Sequence, residues 1–168
     1  NLVQIVTIHR AKGLEYGVVF CPFLFDGYAR GGSDGPMRAW HDDDGELVLD
    51  YRAETAADKA VKARIKHEQQ AEDLRLIYVA LTRAVHRCYL VVGSYASTSF
   101  GKINHTEAGR SLLNWMAAGA GMDAEAWAAH KPTPAGTDAH WRALVAASTL
   151  DGQPVMALAD LPDGHGAA

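Results

Sequence analysis

Two short stretches of this chain concentrate side chains that can hold phosphate and nucleic acid. The first contains Thr7, His9, Arg10, Lys12, Gly13 and Glu15. It offers a hydroxyl, an imidazole, cations, a carboxylate and exposed backbone N–H groups, a set suited to a phosphate backbone and a ribose hydroxyl. Gly13 permits a positive φ or a close backbone approach. Taken alone, the same residues also fit an ordinary polar turn between two elements. The second stretch contains Arg75, Tyr78, Thr82 and Arg83 within an apolar helical run. Arg75, Tyr78 and Thr82 are three and four apart and share one helix face. Arg83 lies about 100° round from Thr82. An arginine near a helix end can reach across an interface to a phosphate, and its planar fork suits that better than a lysine. Alone, an ordinary helix salt-bridging to its neighbours is the favoured account of this stretch.

The elements that must position these residues follow from the pattern. Residues 2–8 are rich in β-branched side chains and read as a strand. Residues 18–25 form a second apolar run, short enough for a buried parallel strand. Residues 27–36 hold four glycines and read as a loop. Asp44-Gly45, between two β-favouring stretches, signals a hairpin. Residues 54–85 are rich in Ala, Lys, Glu, Gln and Arg and predict one long helix, with Leu74, Ile77, Tyr78 and Leu81 at helical spacing. Residues 88–92 predict a further strand. Shorter helices follow near residues 106–118, 123–130 and 138–147, with Pro132 and Pro134 interrupting the series. Residues 163–168 read as a loose tail. Strands joined by helical or looped crossovers predict an α/β layer. Ligands in such sheets sit at the carboxyl ends of strands.

Composition narrows the function classes. The chain has 168 residues, 48% apolar and 21% charged, which is ordinary for a globular domain. Its formal net charge of −4 argues against a free-standing nucleic-acid-binding domain, which usually carries a basic excess. A contact made by a few residues inside a cleft remains compatible with it. Cys21 and Cys88 sit in apolar runs and read as buried structural thiols rather than metal ligands. No apolar run approaches a membrane span, so a cytoplasmic protein without membrane contact is expected. The chain opens on Asn1 rather than a methionine and is expected to be a piece of a longer protein. The run of Asp42, Asp43, Asp44, Gly45 and Glu46 lacks the ligand alternation of a calcium loop, because Trp40 stands at the first ligand position. It reads as a solvated hairpin tip. The histidines show no metal-ligand spacing, and no metal site is expected. Trp115, Trp127 and Trp141 read as core or interface anchors rather than base-stacking platforms.

Together, the two stretches resemble motifs V and VI of the UvrD/Rep-like superfamily 1 DNA helicases. The first matches T-x-H-x-[SA]-K-G-L-E-[FYW] throughout, and the second matches E-x-x-R-L-x-Y-V-A-x-T-R-A. Ala80, where UvrD-type members commonly have Gly, and the wording of residues 3–16 lean towards RecB-like members. The resemblance is strong over residues 2–92.

It implies the second RecA-like lobe of a motor: a mostly parallel sheet with flanking helices, a β-hairpin insertion and a C-terminal helical extension. Residues 1–98 would form the lobe, and residues 99–168 an extension or linker towards the rest of the parent chain. By resemblance, Arg83 is the arginine finger on the γ-phosphate and the one catalytic residue. Glu15 accepts hydrogen bonds from the ribose, and Gly13 lines the same cleft. Arg75, with Tyr78, couples that cleft to the lobe core. Thr7 and His9 face single-stranded DNA, with Lys12 as a further polar contact. ATP and Mg²⁺ would serve the parent protein, with neither bound by this chain alone. The implied partners are DNA, the first RecA-like lobe of the same chain, and RecC-like and RecD-like subunits. The implied activity is ATP-driven unwinding of DNA ends, 3′ to 5′, in recombinational repair, in a parent that also carries an exonuclease. The chain has no G-x-x-x-x-G-K-[ST] loop and no Walker B acids, so it is expected to be inactive alone. Residues 49–52 resemble a nuclease D-Y-K element, but the partner acidic motif is absent and the segment reads as a hairpin arm. Two rival readings are a UvrD/Rep-type repair helicase lobe without a nuclease, and a non-catalytic module for DNA or subunit binding.

Overall fold

The computed structural model describes residues 2–26, 38–51, 59–99, 102–105, 108–109 and 111–160. The glycine-rich stretch at 27–36, the first residues of the helix expected from 54, Arg52, Thr106 and the tail at 163–168 lie outside them. The chain divides into two compact units, residues 1–91 with 110–113, and residues 92–109 with 114–168.

In the first unit, β1 (Tyr16–Cys21) and β4 (Ala84–Leu90) pair in parallel, with Val19 opposite Cys88 and Phe20 opposite Tyr89. The crossover between them carries the hairpin β2 (Arg38–His41) and β3 (Leu47–Asp50), then the helix α1 (Lys59–Leu81). A parallel pair requires such a long crossover. Residues 18–25 therefore divide. The strand ends at Cys21, and Leu24–Asp26 form a 3₁₀ turn after Pro22. The strand is not buried on both faces, since Val18 is 50% and Phe20 69% exposed. Phe20 stacks on Tyr89 with ring centroids 4.6 Å apart.

The described residues show an α/β arrangement but not the mostly parallel sheet expected. Among the described residues there is one parallel pair, and the other pairs are antiparallel. Residues 2–7 carry no strand hydrogen bonding, and Leu2, Val3 and Ile5 are almost fully exposed. β-branched composition favours an extended backbone, but a strand exists only where a partner supplies the ladder.

The hairpin formed as Asp44-Gly45 predicts. Gly45 N donates to Asp42 O, closing a four-residue turn whose last residue, Gly45, sits at φ +81°. Asp42 Oδ1 accepts the backbone N–H groups of Asp44 and Glu46 at 3.0 and 2.9 Å. That carboxylate fixes the tip, as an Asx turn does. Asp50 is buried opposite Arg38, 3.9 Å away, so residues 49–50 belong to a hairpin arm. Glu68 of α1 accepts the His41 backbone N–H at 2.8 Å and faces its ring Nδ1 at 3.1 Å. The backbone hydrogen bond holds the Glu68 carboxyl below the usual range, with the His41 side chain adding to the effect. Arg64 pairs with Asp43 beside it.

α1 is made of strong helix formers. Its buried residues are Ile77 and Ala80, whereas Tyr78 is 67% exposed and stands off the apolar face. Cys21 and Cys88 are only half-buried. Burial first, then the charge and hydrogen bond of Cys88, push the Cys21 thiol up to about 11.

The second unit holds short antiparallel pairs, β5 (Ser97–Ser99) with β6 (Lys102–Asn104) and β7 (Thr149–Leu150) with β8 (Gln153–Pro154). Its helices are α3 (Ala124–His130), α4 (Pro134–Ala147) and most of α2 (Leu112–Ala118). α4 starts four residues earlier than its apolar pattern suggests. Pro134 opens the helix and Thr133 caps it by accepting the Gly136 N–H, because proline is favoured in a first turn whose N–H groups have no helical partner. Trp127 and Trp141 are buried as expected, while Trp115 is half-buried and donates its indole N–H to Met122 O. Asn114 is the hub. It donates to Gly93 O at 2.9 Å and Ala108 O at 3.0 Å, and accepts the Trp141 indole N–H at 2.9 Å.

Candidate functional site

The two sequence stretches meet at the edge where β1 and β4 begin. α1 ends at Leu81 and β4 starts at Ala84, so Thr82 and Arg83 are the whole connection. The helix tightens as it stops, with Thr82 N bonding to Tyr78 O and Arg83 N to Ala80 O. On the other stretch, Ala11 N bonds to Thr7 O, Lys12 N to His9 O and Leu14 N to Ala11 O, giving overlapping turns. Gly13 closes them at φ +83°. Tyr16 N then bonds to Arg83 O at 2.9 Å, which extends the β1–β4 ladder to the site itself.

Arg83 ties the two stretches together. Its Nε donates to Val79 O at 3.0 Å, its Nη1 to Leu14 O at 3.1 Å and its Nη2 to Thr82 Oγ1 at 3.1 Å. Leu14 is 69 residues away in sequence. Glu15 follows Leu14 directly, and its side chain is exposed at the same edge. A guanidinium on one strand start and a carboxylate on the next form a mixed-charge edge, open to solvent. It can meet a phosphate and a sugar hydroxyl together. The cluster follows residues 2–8 and the end of α1, and lies where β1 and β4 start.

The remaining site residues divide. His9 and Lys12 are exposed on the turn, as is Thr7, whose Oγ1 accepts the Arg10 N–H at 3.4 Å. This hydroxyl shapes the turn as well as facing outward. Arg75 is not brought to the cluster. It lies 69% exposed on α1 and pairs with Glu72 at 2.6 Å, two helical turns before Thr82. Sequence reasoning missed two partners. One is the Leu14 carbonyl, which no side-chain pattern reveals. The other is the Thr82 hydroxyl: the residue stood out in the sequence, but not as a partner of Arg83. Among the described residues, no group of three or more His, Cys, Asp or Glu could hold a metal ion, and no helix is long and apolar enough to cross a membrane.

Residues 1–95 match the model of the UvrD-like helicase C-terminal domain. The chain is 40% identical over 114 residues to the RecBCD enzyme subunit RecB of Escherichia coli K12, a match covering 67% of this chain and 9% of that protein. It is 32% identical over 164 residues to an ATP-dependent helicase/nuclease subunit of Desulforudis audaxviator, covering 95% and 12%. The corresponding protein of Natranaerobius thermophilus is 30% identical over 132 residues, covering 74% and 10%. The chain thus spans about a tenth of the length of these relatives.

Proposed function

The chain belongs to the UvrD-like helicase C-terminal domain family, and on that premise we propose that it is the nucleotide-sensing, DNA-facing half of a split ATPase motor in a RecB-like helicase/nuclease. The single observation that carries this reading is the Arg83 guanidinium clasped onto the Leu14 carbonyl beside Glu15. ATP is the substrate, held between this lobe and a first RecA-like lobe of the same parent. Arg83 meets the γ-phosphate and neutralises charge as it builds up in phosphoryl transfer. Glu15 accepts from the ribose, and the Gly13 backbone lines the cleft. Thr7, His9 and Lys12 face single-stranded DNA from the exposed turn. Mg²⁺ would be held by acidic residues of the other lobe and by the phosphates, supplying further charge neutralisation there. Closure on ATP and reopening after hydrolysis then step the parent along DNA, because each nucleotide state favours a different arrangement.

The names of the relatives, which describe a RecBCD enzyme component and helicase/nuclease components, favour a parent with a nuclease over a repair helicase without one. They also support a multi-subunit assembly. The chain by itself should not turn over ATP. In the full-length parent, Arg83→Ala should lower DNA-stimulated ATP hydrolysis about a thousandfold or more, while nucleotide binding survives. Undiminished turnover in that variant would sink the finger assignment and leave a non-catalytic module as the better account.

A further inference from the structure

Resting on that reading of Arg83, we infer that Thr82 is a positioning residue that sets the arginine's side chain for the phosphate. A guanidinium on a flexible stem has five N–H donors and many rotamers. Here three of those donors are engaged at Val79 O, Leu14 O and Thr82 Oγ1. The remaining N–H groups, one on each terminal nitrogen, are the ones a phosphate can use as a fork.

Two of the three anchors are backbone carbonyls, which no substitution at those positions removes. The Thr82 hydroxyl is the only side-chain anchor among them. It is itself held, lying 2.9 Å from Tyr78 O and 3.2 Å from Val79 O, carbonyls of the last turn of α1. A hydroxyl has one proton and two acceptor lone pairs. With the proton spent on the helix carbonyls, its lone pairs point to the Nη2 donor. Thr82 thereby ties the guanidinium to the end of α1, while Leu14 O ties it to the turn before Glu15. The arrangement couples helix, turn and arginine through fixed hydrogen bonds. Threonine adds β-branched stiffness at χ1, so the oxygen has few other places to go.

The test compares Thr82→Val, Thr82→Ser and Arg83→Ala in the full-length parent, reading kcat and KM for DNA-stimulated ATP hydrolysis and the melting temperature. Valine keeps the shape and removes the oxygen. Thr82→Val is expected to lower kcat about tenfold, the scale of one hydrogen bond to a charged group, with KM for ATP within about twofold. Thr82→Ser should restore kcat. A purely structural role would instead lower the melting temperature and leave kcat of the folded enzyme unchanged. If Thr82→Val keeps full kcat while Arg83→Ala has lost it, the positioning role is overturned and the finger reading stands. Failure of serine to rescue overturns it as well. If Arg83→Ala keeps turnover, the finger reading fails first and takes this inference with it. Should valine prevent folding, Thr82→Ala carries the same arm.

Discussion

Replacing Asn114 by leucine tests how the second unit is held together. The side chain is 1% exposed, and Trp141, whose indole it accepts from, is 4% exposed. Leucine preserves the volume but removes every polar atom. Three hydrogen bonds disappear: those to Gly93 O, to Ala108 O and from the Trp141 indole. Each neutral bond contributes about 1 kcal/mol net, and a buried donor left without an acceptor costs about 1–3 kcal/mol. The indole N–H is the group most exposed to that penalty, because a carbonyl keeps a second lone pair. The sum is about 3–5 kcal/mol, a large part of the 5–15 kcal/mol typical of whole domains. At about 2–4 °C per kcal/mol, the melting temperature should fall by roughly 6–20 °C. Urea unfolding of the purified chain, followed by tryptophan fluorescence and circular dichroism, measures it. Trp141→Phe supplies the control. The double variant strands no indole and should be less destabilised than the two single costs added together. A loss below about 1 kcal/mol for Asn114→Leu, or strict additivity in the cycle, would refute the account of Asn114 as a hub.

Two further outcomes follow from the first unit. The Cys21 thiol, pushed up to about 11, should alkylate slowly near neutral pH and accelerate as pH rises towards that value. Because its folded pKa is raised, the stability it contributes is complete below the unfolded value of about 8.5 and is lost as pH rises through the folded one. Fast, pH-independent labelling of Cys21 in the folded chain would contradict its burial. Gly13→Ala places a side chain at φ +83° where a Cβ meets no atom within 4 Å. Its cost is then backbone strain alone, about 1–2 kcal/mol by thermal or urea unfolding, and an unchanged stability would show that the turn does not need its left-handed residue.

The sequence by itself determined what is local. Helix formers and apolar spacing marked α1, Asp44-Gly45 marked the hairpin, and the spacing within residues 7–15 and 72–84 marked the chemistry. Each rests on neighbours a few residues apart, which the chain carries in any context. Tertiary structure decided what depends on distant partners. Residues 2–7 have the composition of a strand but no ladder, because pairing is supplied by another segment or not at all. Residues 18–25 broke at Cys21 because the match with β4 ends there, opposite Leu90. Tyr78 and Arg75 share the chemistry-bearing face by spacing, yet both point to solvent, and Arg75 pairs with Glu72 instead of joining the cluster. The clasp of Arg83 on Leu14 spans 69 residues and ends on a carbonyl that every residue possesses, so no pattern of side chains could announce it. Residue type named the arginine, and only the parallel pairing of β1 with β4 decided what it would hold.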